Sequence, residues 1–326
     1  MKALFDSISR VIVALGAWGL VRVLSIPGTA MARKWGVVLG NLAYVLCKAD
    51  RDRAFRQFAH LDSSLSSRTR TVMVKNNFRN LGSMLLETIS LAHRSDGVPA
   101  LEEEQRGVQI DGLKEFRDRI HELRQESGVV AITAHLGAWE LGGAALGQIL
   151  SSDAFVLARR YDVDSHQGVV SKIRARLGTP LLYQDQSLIR AMRALKNRQV
   201  IAMLVDLDIR AMDGIQAPFL GTDAHTTTAP ARLALKTGSP LLPYFVVRVG
   251  DHYQLQMGDL IPVPEYSAEE SKDQIENLTF QMNEAICREI RRYPEQWIWM
   301  HPRWHSTPEV IAQRKARRAL KNDPAG

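Results

Sequence analysis

From residue 108 to residue 257 the chain alternates short apolar runs with longer helical stretches, and no other feature limits its fold so strongly. Residues 108–110 are a short strand candidate, 155–158 and 181–183 read as short strands, and 129–133 and 200–205 are apolar runs of the kind that strands buried on both faces show. Between them, residues 113–126, 141–150, 169–177 and 188–197 carry helical spacing, with Gly128 and Gly178 as stop signals. Then come a helix over 231–236, strands over 241–249 and 253–257, and a long helix over 267–292. Residues 51–95 read as helical, capped internally by Ser66 or Ser67. Such alternation predicts an α/β fold: a mostly parallel mixed sheet flanked by helices, with its last strands antiparallel.

Charge divides the chain unevenly. The net charge is +7, yet residues 1–75 hold 12 Lys/Arg against 4 Asp/Glu, so the rest is nearly neutral. The basic segment also carries three apolar runs, 11–21, 23–32 and 35–47, interrupted by Arg22, Pro27-Gly28 and Arg33-Lys34. None reaches the roughly 20 residues of a simple membrane span. A tilted span with Arg22 snorkelling and a pair of core helices are the alternatives; the charge asymmetry favours a helical interfacial anchor on an anionic membrane surface. Ala30-Met31-Ala32 has the form of a signal-peptidase site, but Arg22 and Pro27 interrupt the approach to it, so the segment reads as retained. Basic residues interleaved with stacking aromatics are missing, which argues against nucleic acid as a partner. Cys47 and Cys287 stand far apart with no metal spacing, as inert thiols of a reducing compartment do.

The chemistry concentrates after residue 133. The buried run 129–133 leads straight into Ala134-His135-Leu136-Gly137-Ala138-Trp139-Glu140. On one continuous helix, positions five apart do not share a face. A turn at Gly137 brings His135 and Glu140 to one mouth, where His135 is a general base and Glu140 holds the second ring nitrogen. The helix that follows adds the positive end of its dipole. Composition alone yields about one His-x4-acid match by chance, and a second one, His121 to Glu126, sits on a charged helix face. Position at the end of a buried strand is what distinguishes His135.

Other polar residues also follow apolar runs. Arg159 is a bidentate donor for a phosphate or an oxyanion, or a surface ion pair. Asp206 follows a fully apolar strand and positions Arg159 or the acceptor, or caps a chain end. Thr226-Thr227-Thr228 with Pro230 opens a helix whose N–H groups and hydroxyls form an anion site, or only a cap. His301 and His305 have i,i+4 spacing, but no third metal ligand is evident, so no metal is expected. Arg159-Arg160, Lys172, Arg174 and Arg176 form a basic cluster near the mouth, or an ordinary solvated helix face. No Gly-rich nucleotide loop follows a strand, so no cofactor is expected.

Four segments in order carry a family resemblance. Ala134 through Glu140 resembles the HxxxxE signature of the bacterial lipid A late acyltransferases, and Val156-Leu157-Ala158-Arg159 their strand ending in Arg. Val205-Asp206, Pro218-Phe219-Leu220-Gly221 and Thr226-Thr227-Thr228 resemble their central block. Tyr293 through Trp297 and His301-Pro302-Arg303-Trp304 resemble their closing motif. Two stretches depart from the family. Arg160 and Asp162-Val163-Asp164 stand where it has Pro and later Asp-Asn-Pro, and Leu207-Asp208-Ile209-Arg210 replaces its acidic and aromatic residues. These changes bear on the acceptor more than on the chemistry.

The resemblance implies a glycerolipid-acyltransferase-like fold with a membrane-associating segment over 1–50, an acyltransferase domain over 51–305 and a basic tail over 306–326. It implies an O-acyltransferase that moves a fatty acyl chain from acyl carrier protein to a hydroxyl of a lipid A precursor. The implied location is the cytoplasmic face of the inner membrane. His135 and Glu140 are catalytic, while Arg159, Asp206, Thr227 and Thr228 bind substrate or stabilise charge. The thioester is attacked directly, because no Ser or Cys is placed to form an acyl-enzyme. The alternatives are acylation of another glycolipid or aminolipid, as in phosphatidylinositol mannoside acyltransferases, or a catalytically silent membrane-binding module.

Overall fold

The computed structural model describes residues 28–94, 108–158, 166–183, 187–208 and 214–314. The apolar run 11–21, Arg22, Pro27, Arg159, Arg160 and residues 162–164 lie outside that set, as do Ile209, Arg210 and the tail beyond 314.

The expected α/β architecture is present. Seven strands form one sheet: β1 (Ile110–Asp111), β2 (Val129–Thr133), β3 (Ala154–Ala158), β4 (Leu181–Tyr183), β5 (Val200–Leu204), β8 (Leu241–Val249) and β9 (His252–Met257), in the order β1-β9-β8-β2-β5-β3-β4. All neighbours are parallel except β8 and β9, which form the expected antiparallel pair. Helices α4 (Leu113–Leu123), α5 (Trp139–Leu150) and α6 (His166–Arg176) cover one face. Helices α7 (Ser187–Lys196), α8 (Ala229–Thr237) and α9 (Ser271–Arg292) cover the other. Strand β2 is central and all five of its residues are buried. Val130 and Ile132 enter one core, Val129 and Ala131 the opposite one, which is why the run shows no polar alternation.

Before the sheet lie α1 (Thr29–Leu46), α2 (Lys48–Gln57) and α3 (Ser67–Arg94). The Ser66 hydroxyl accepts from the Thr69 N–H at 3.1 Å, which caps α3. Helix α3 runs past the sheet and contributes Val74 and Phe78 to one core, and Met84, Leu86 and Ile89 to the other. Helix α1 packs along it backbone to backbone. A Cβ at Gly36, Gly40 or Gly82 would overlap main-chain atoms of the partner helix, so these glycines set the approach. Among the described residues no helix is long and apolar enough to cross a membrane.

One pair of strands is absent from the sequence reading: the antiparallel hairpin β6 (Gly214–Phe219) and β7 (Thr222–Thr227). Its two-residue turn, Leu220-Gly221, has positive φ at both positions, as a tight hairpin with right-handed twist needs. The Thr block is therefore divided. Thr226 and Thr227 pair with Ile215 and Gly214 across the hairpin, and only Thr228 stands at the start of α8.

Candidate active site

Register builds the site. Strands β2 and β5 lie side by side with Thr133 opposite Leu204. The Val205 N–H donates to the Thr133 carbonyl at 3.1 Å, which carries the pairing one step further. His135 and Asp206, each two residues past its strand, therefore meet at the carboxyl end of the sheet, where parallel α/β folds gather their ligands. His135 Nδ1 is 2.9 Å from Asp206 Oδ1, and the His135 N–H donates to Asp206 Oδ2 at 2.9 Å. The Trp297 indole N–H donates to the same Oδ2 at 2.7 Å.

Asp206 is fully buried, whereas 20% of the His135 side chain is exposed. Burial pushes the Asp206 carboxyl upward. The His135 ring, its hydrogen bond and the Trp297 and His135 N–H groups more than offset that, and the carboxyl is held below its ordinary range. An ionised Asp206 accepts a proton-bearing Nδ1, which leaves Nε2 with its lone pair.

Gly137 makes the turn. Its φ is +61°, and a Cβ there would overlap the Val246 carbonyl oxygen. The segment is clamped from both sides. The Ala138 N–H donates to the Val246 carbonyl at 2.7 Å and the Gly137 N–H to the Gln296 carbonyl at 3.1 Å, while His135 C=O accepts from the Ile298 N–H at 3.1 Å. The closing segment is held in turn by α3. Asn77 donates to the carbonyls of Glu295 and Trp297, and Asn76 to the Glu295 carboxylate.

Glu140 lies in the first turn of α5 but is not the imidazole's partner. Its two carboxylate oxygens accept from Arg174 Nε and Nη2, both at 2.8 Å, and one also accepts from the Trp139 indole at 3.1 Å. The physical reason is direction. Past Gly137 the chain enters α5 toward α6, while the Nδ1 edge of His135 turns inward to β5. Trp139 stands over the His135 ring, with centroids 5.3 Å apart. Arg174 is thus part of the mouth, whereas Lys172 and Arg176 are exposed on α6. An apolar slot opens at this turn, lined by Leu81, Met84, Leu85 and Thr88 of α3 and by Trp139 and Glu140. Leu81 and Leu85 also line a groove between α1 and α3, with Leu39 and Ala43. A larger cavity beside β4, lined by Phe155, Tyr183 and Arg193, touches none of these residues.

The Thr hydroxyls are engaged. Thr227 Oγ1 accepts from the Ala229 N–H at 3.2 Å, and Thr228 Oγ1 accepts from Arg232 at 2.9 Å. Thr226 Oγ1 receives Arg303 and Asn283 and donates to the Ala224 carbonyl. His301 and His305 sit on an irregular stretch rather than a helix. Trp297 was quoted above only as part of a motif. Its indole N–H, among the described residues the one side-chain donor on the Asp206 carboxylate besides His135, has no sequence signal. Asp206 has one: it directly follows the apolar run 200–205, much as His135 stands just beyond 129–133.

The comparisons cover two thirds of the chain or more and point one way. A lipid A biosynthesis lauroyltransferase of Escherichia coli K12 is 27% identical over 304 residues, covering 92% of this chain and 93% of the relative. A lipid A biosynthesis palmitoleoyltransferase of the same strain is 25% identical, over 84% of each chain. A phosphatidylinositol mannoside acyltransferase of Mycolicibacterium smegmatis is 24% identical, over 68% of this chain and 70% of the relative. The family model described as bacterial lipid A biosynthesis acyltransferase matches residues 1–306. This chain belongs to that family and is an acyltransferase.

Proposed function

We propose that the protein transfers a fatty acyl chain from acyl carrier protein to a hydroxyl of a lipid A precursor, with His135 as base. The observation that carries this reading is the pairing of His135 Nδ1 with a buried, ionised Asp206, which reserves Nε2 for proton transfer. His135 Nε2 takes the acceptor's hydroxyl proton as its oxygen attacks the thioester carbonyl. The C–S bond then breaks, and the departing sulfur takes the proton back from Nε2. Asp206 orients the ring and stabilises the imidazolium that forms between these events. Glu140 fixes Arg174 and Trp139 at the mouth, where the guanidinium and the α5 N-terminus face developing negative charge. The residues of the slot receive the acyl chain beside the turn. Arg159 remains in this reading as a charge-stabilising contact, whereas the buried Thr227 and Thr228 hydroxyls hold the start of α8. In this reading residues 51–305 form a glycerolipid-acyltransferase-like domain, with a membrane-associating segment over 1–50 and a basic tail over 306–326; the mostly parallel sheet flanked by helices supports it.

An anionic membrane surface, the cytoplasmic face of an inner membrane, is the proposed location. Support comes from α1, which presents Met31, Trp35, Val38, Leu42 and Val45 to solvent along one stripe while Ala32, Gly36 and Gly40 face α3. Exposed Lys34 and Lys48 flank the stripe. Replacing Leu42 and Val45 by Asp is expected to release the protein from anionic vesicles; unchanged vesicle binding would exclude this face.

The decisive assay supplies acyl carrier protein thioester and a lipid A precursor, and reads the product by mass spectrometry. His135→Ala is expected to lower turnover by roughly a hundredfold or more. Near-normal turnover in the folded variant would remove His135 as base. Mannosylated phosphatidylinositol in the same assay tests the acceptor named for the mycobacterial relative.

A further inference from the structure

Arg303 is a charged side chain with no solvent exposure. It lies in the closing segment, six residues past Trp297. Its guanidinium donates to the His225 carbonyl and to Thr226 Oγ1, both at 2.6 Å, and rests 4.5 Å over the Phe219 ring. Its N–H donates to Gln57 at 3.0 Å. None of these acceptors is charged, no carboxylate among the described residues lies within ion-pair distance of it, and its Nε has no hydrogen-bond partner. A cation buried this completely needs a negative charge somewhere near.

The Asp206 carboxylate is the matching deficit. It too is wholly buried, and when His135 is neutral the pair carries an uncompensated negative charge. The two buried charges are linked by rings: Trp297 donates to Asp206 and tilts against Phe219 at 5.6 Å, and Phe219 carries Arg303. Burial lowers the Arg303 pKa to about 10, with Asp206, then Asp208, drawing it back up, so it stays cationic at neutral pH.

We propose that Arg303 is a positioning residue for the transfer reaction: a buried cation, spaced from Asp206 by Trp297 and Phe219, that keeps the pair as carboxylate and neutral imidazole. Without it, the buried pair favours holding an extra proton, and a protonated imidazole is no base. The role rests on His135 being the base. The other groups around the guanidinium are Asp208 beyond β5, whose Oδ2 accepts from the Ser306 N–H, His225 on β7 and Cys287 on α9. Burial pushes the Cys287 thiol up to about 11, so it is neutral over the working range. Glu140 at the mouth is engaged with Arg174.

The sign follows from the charges. Arg303→Met removes a positive neighbour, so the imidazolium loses its proton less readily and the acid limb of kcat/KM moves to higher pH, by about one unit for a charge at this range. The high-pH plateau is expected to stay within roughly threefold of wild type. Arg303→Lys keeps the limb in place. Asp208→Asn removes a negative charge and is expected to move the limb the other way, by less than one unit. NMR titration of the His135 ring in the full chain reads the same shifts without turnover. A uniform loss at all pH values with an unmoved limb would reduce Arg303 to packing and overturn the proposal. Should Arg303→Met fail to fold, an unmoved limb in Asp208→Asn overturns it equally. If His135→Ala retains full turnover, the base assignment falls, while the ring titration still reports whether Arg303 and His135 are coupled.

Discussion

Two carboxylates flank His135, and they differ in nearly every respect. Asp206 is wholly buried, comes off the neighbouring strand, and accepts from an imidazole, an indole and a backbone N–H. Glu140 is 18% exposed, comes off the same segment five residues on, and accepts from a guanidinium and an indole. The nearer residue in sequence is the farther one in role. Covalent spacing says which residues share a turn, whereas the register of adjacent parallel strands says which side chains meet across it.

The sharpest way to break this contrast is to neutralise each carboxylate in turn. Asp206→Asn is expected to cost roughly a thousandfold in kcat, because an amide no longer enforces the Nδ1–H tautomer or stabilises the imidazolium. The variant also alters acid stability. A carboxyl held below its ordinary pKa contributes stability that is complete above about pH 4 and disappears as pH falls through the lower folded value. The Asn variant is expected to lack that acid limb in a plot of Tm against pH. Equal losses in Asp206→Asn and Glu140→Gln would erase the distinction drawn here.

Glu140→Gln is expected to cost about tenfold, since its partner is the Arg174 guanidinium rather than His135. The loss should be shared with Arg174. In a double-mutant cycle, Glu140→Gln and Arg174→Met are expected to be strongly non-additive, as groups joined by two hydrogen bonds are. Additive effects would detach Glu140 from Arg174. Trp297→Phe removes one of the donors on Asp206 and keeps the ring; a loss of about three- to tenfold in kcat is expected.

How much of this was legible beforehand follows the same division. Strands β2, β4 and β8 match their apolar runs residue for residue: β2 is buried throughout and β8 over its first seven residues, and such strands leave an uninterrupted signature, while β4 is an edge strand buried only at Leu182. The turn at Gly137 could be read as well, since a strand was followed by glycine and then a helical pattern. The β6–β7 hairpin could not. Its Pro218, Asp223 and Thr-rich β7 lack apolar alternation, and its turn, Leu220-Gly221, places a leucine at φ +50°. The placement of Asp206 on His135, of Glu140 on Arg174 and of Arg303 behind Phe219 are all long-range pairings. Nothing in local spacing encodes which strand lies beside β2.

The smallest effect concerns the charges that face away from the mouth. Helix α6 carries Arg174 inward to Glu140, while Lys172 and Arg176 stand exposed. An acidic carrier protein docking over the slot would meet the exposed pair first, and rim charges govern encounter more than the bound state. Lys172→Glu with Arg176→Glu is expected to raise the apparent KM for acyl carrier protein by roughly three- to tenfold and to weaken further with salt. Turnover at saturation should stay near wild type. Arg174→Met should do the reverse, lowering kcat with a smaller change in KM, because its partner is Glu140 rather than the carrier. A steady-state comparison with the same acyl chain on coenzyme A completes the test. Preference for that small donor, or indifference of the double Glu variant to the carrier, would separate α6 from donor recognition and leave the His135–Asp206 chemistry untouched.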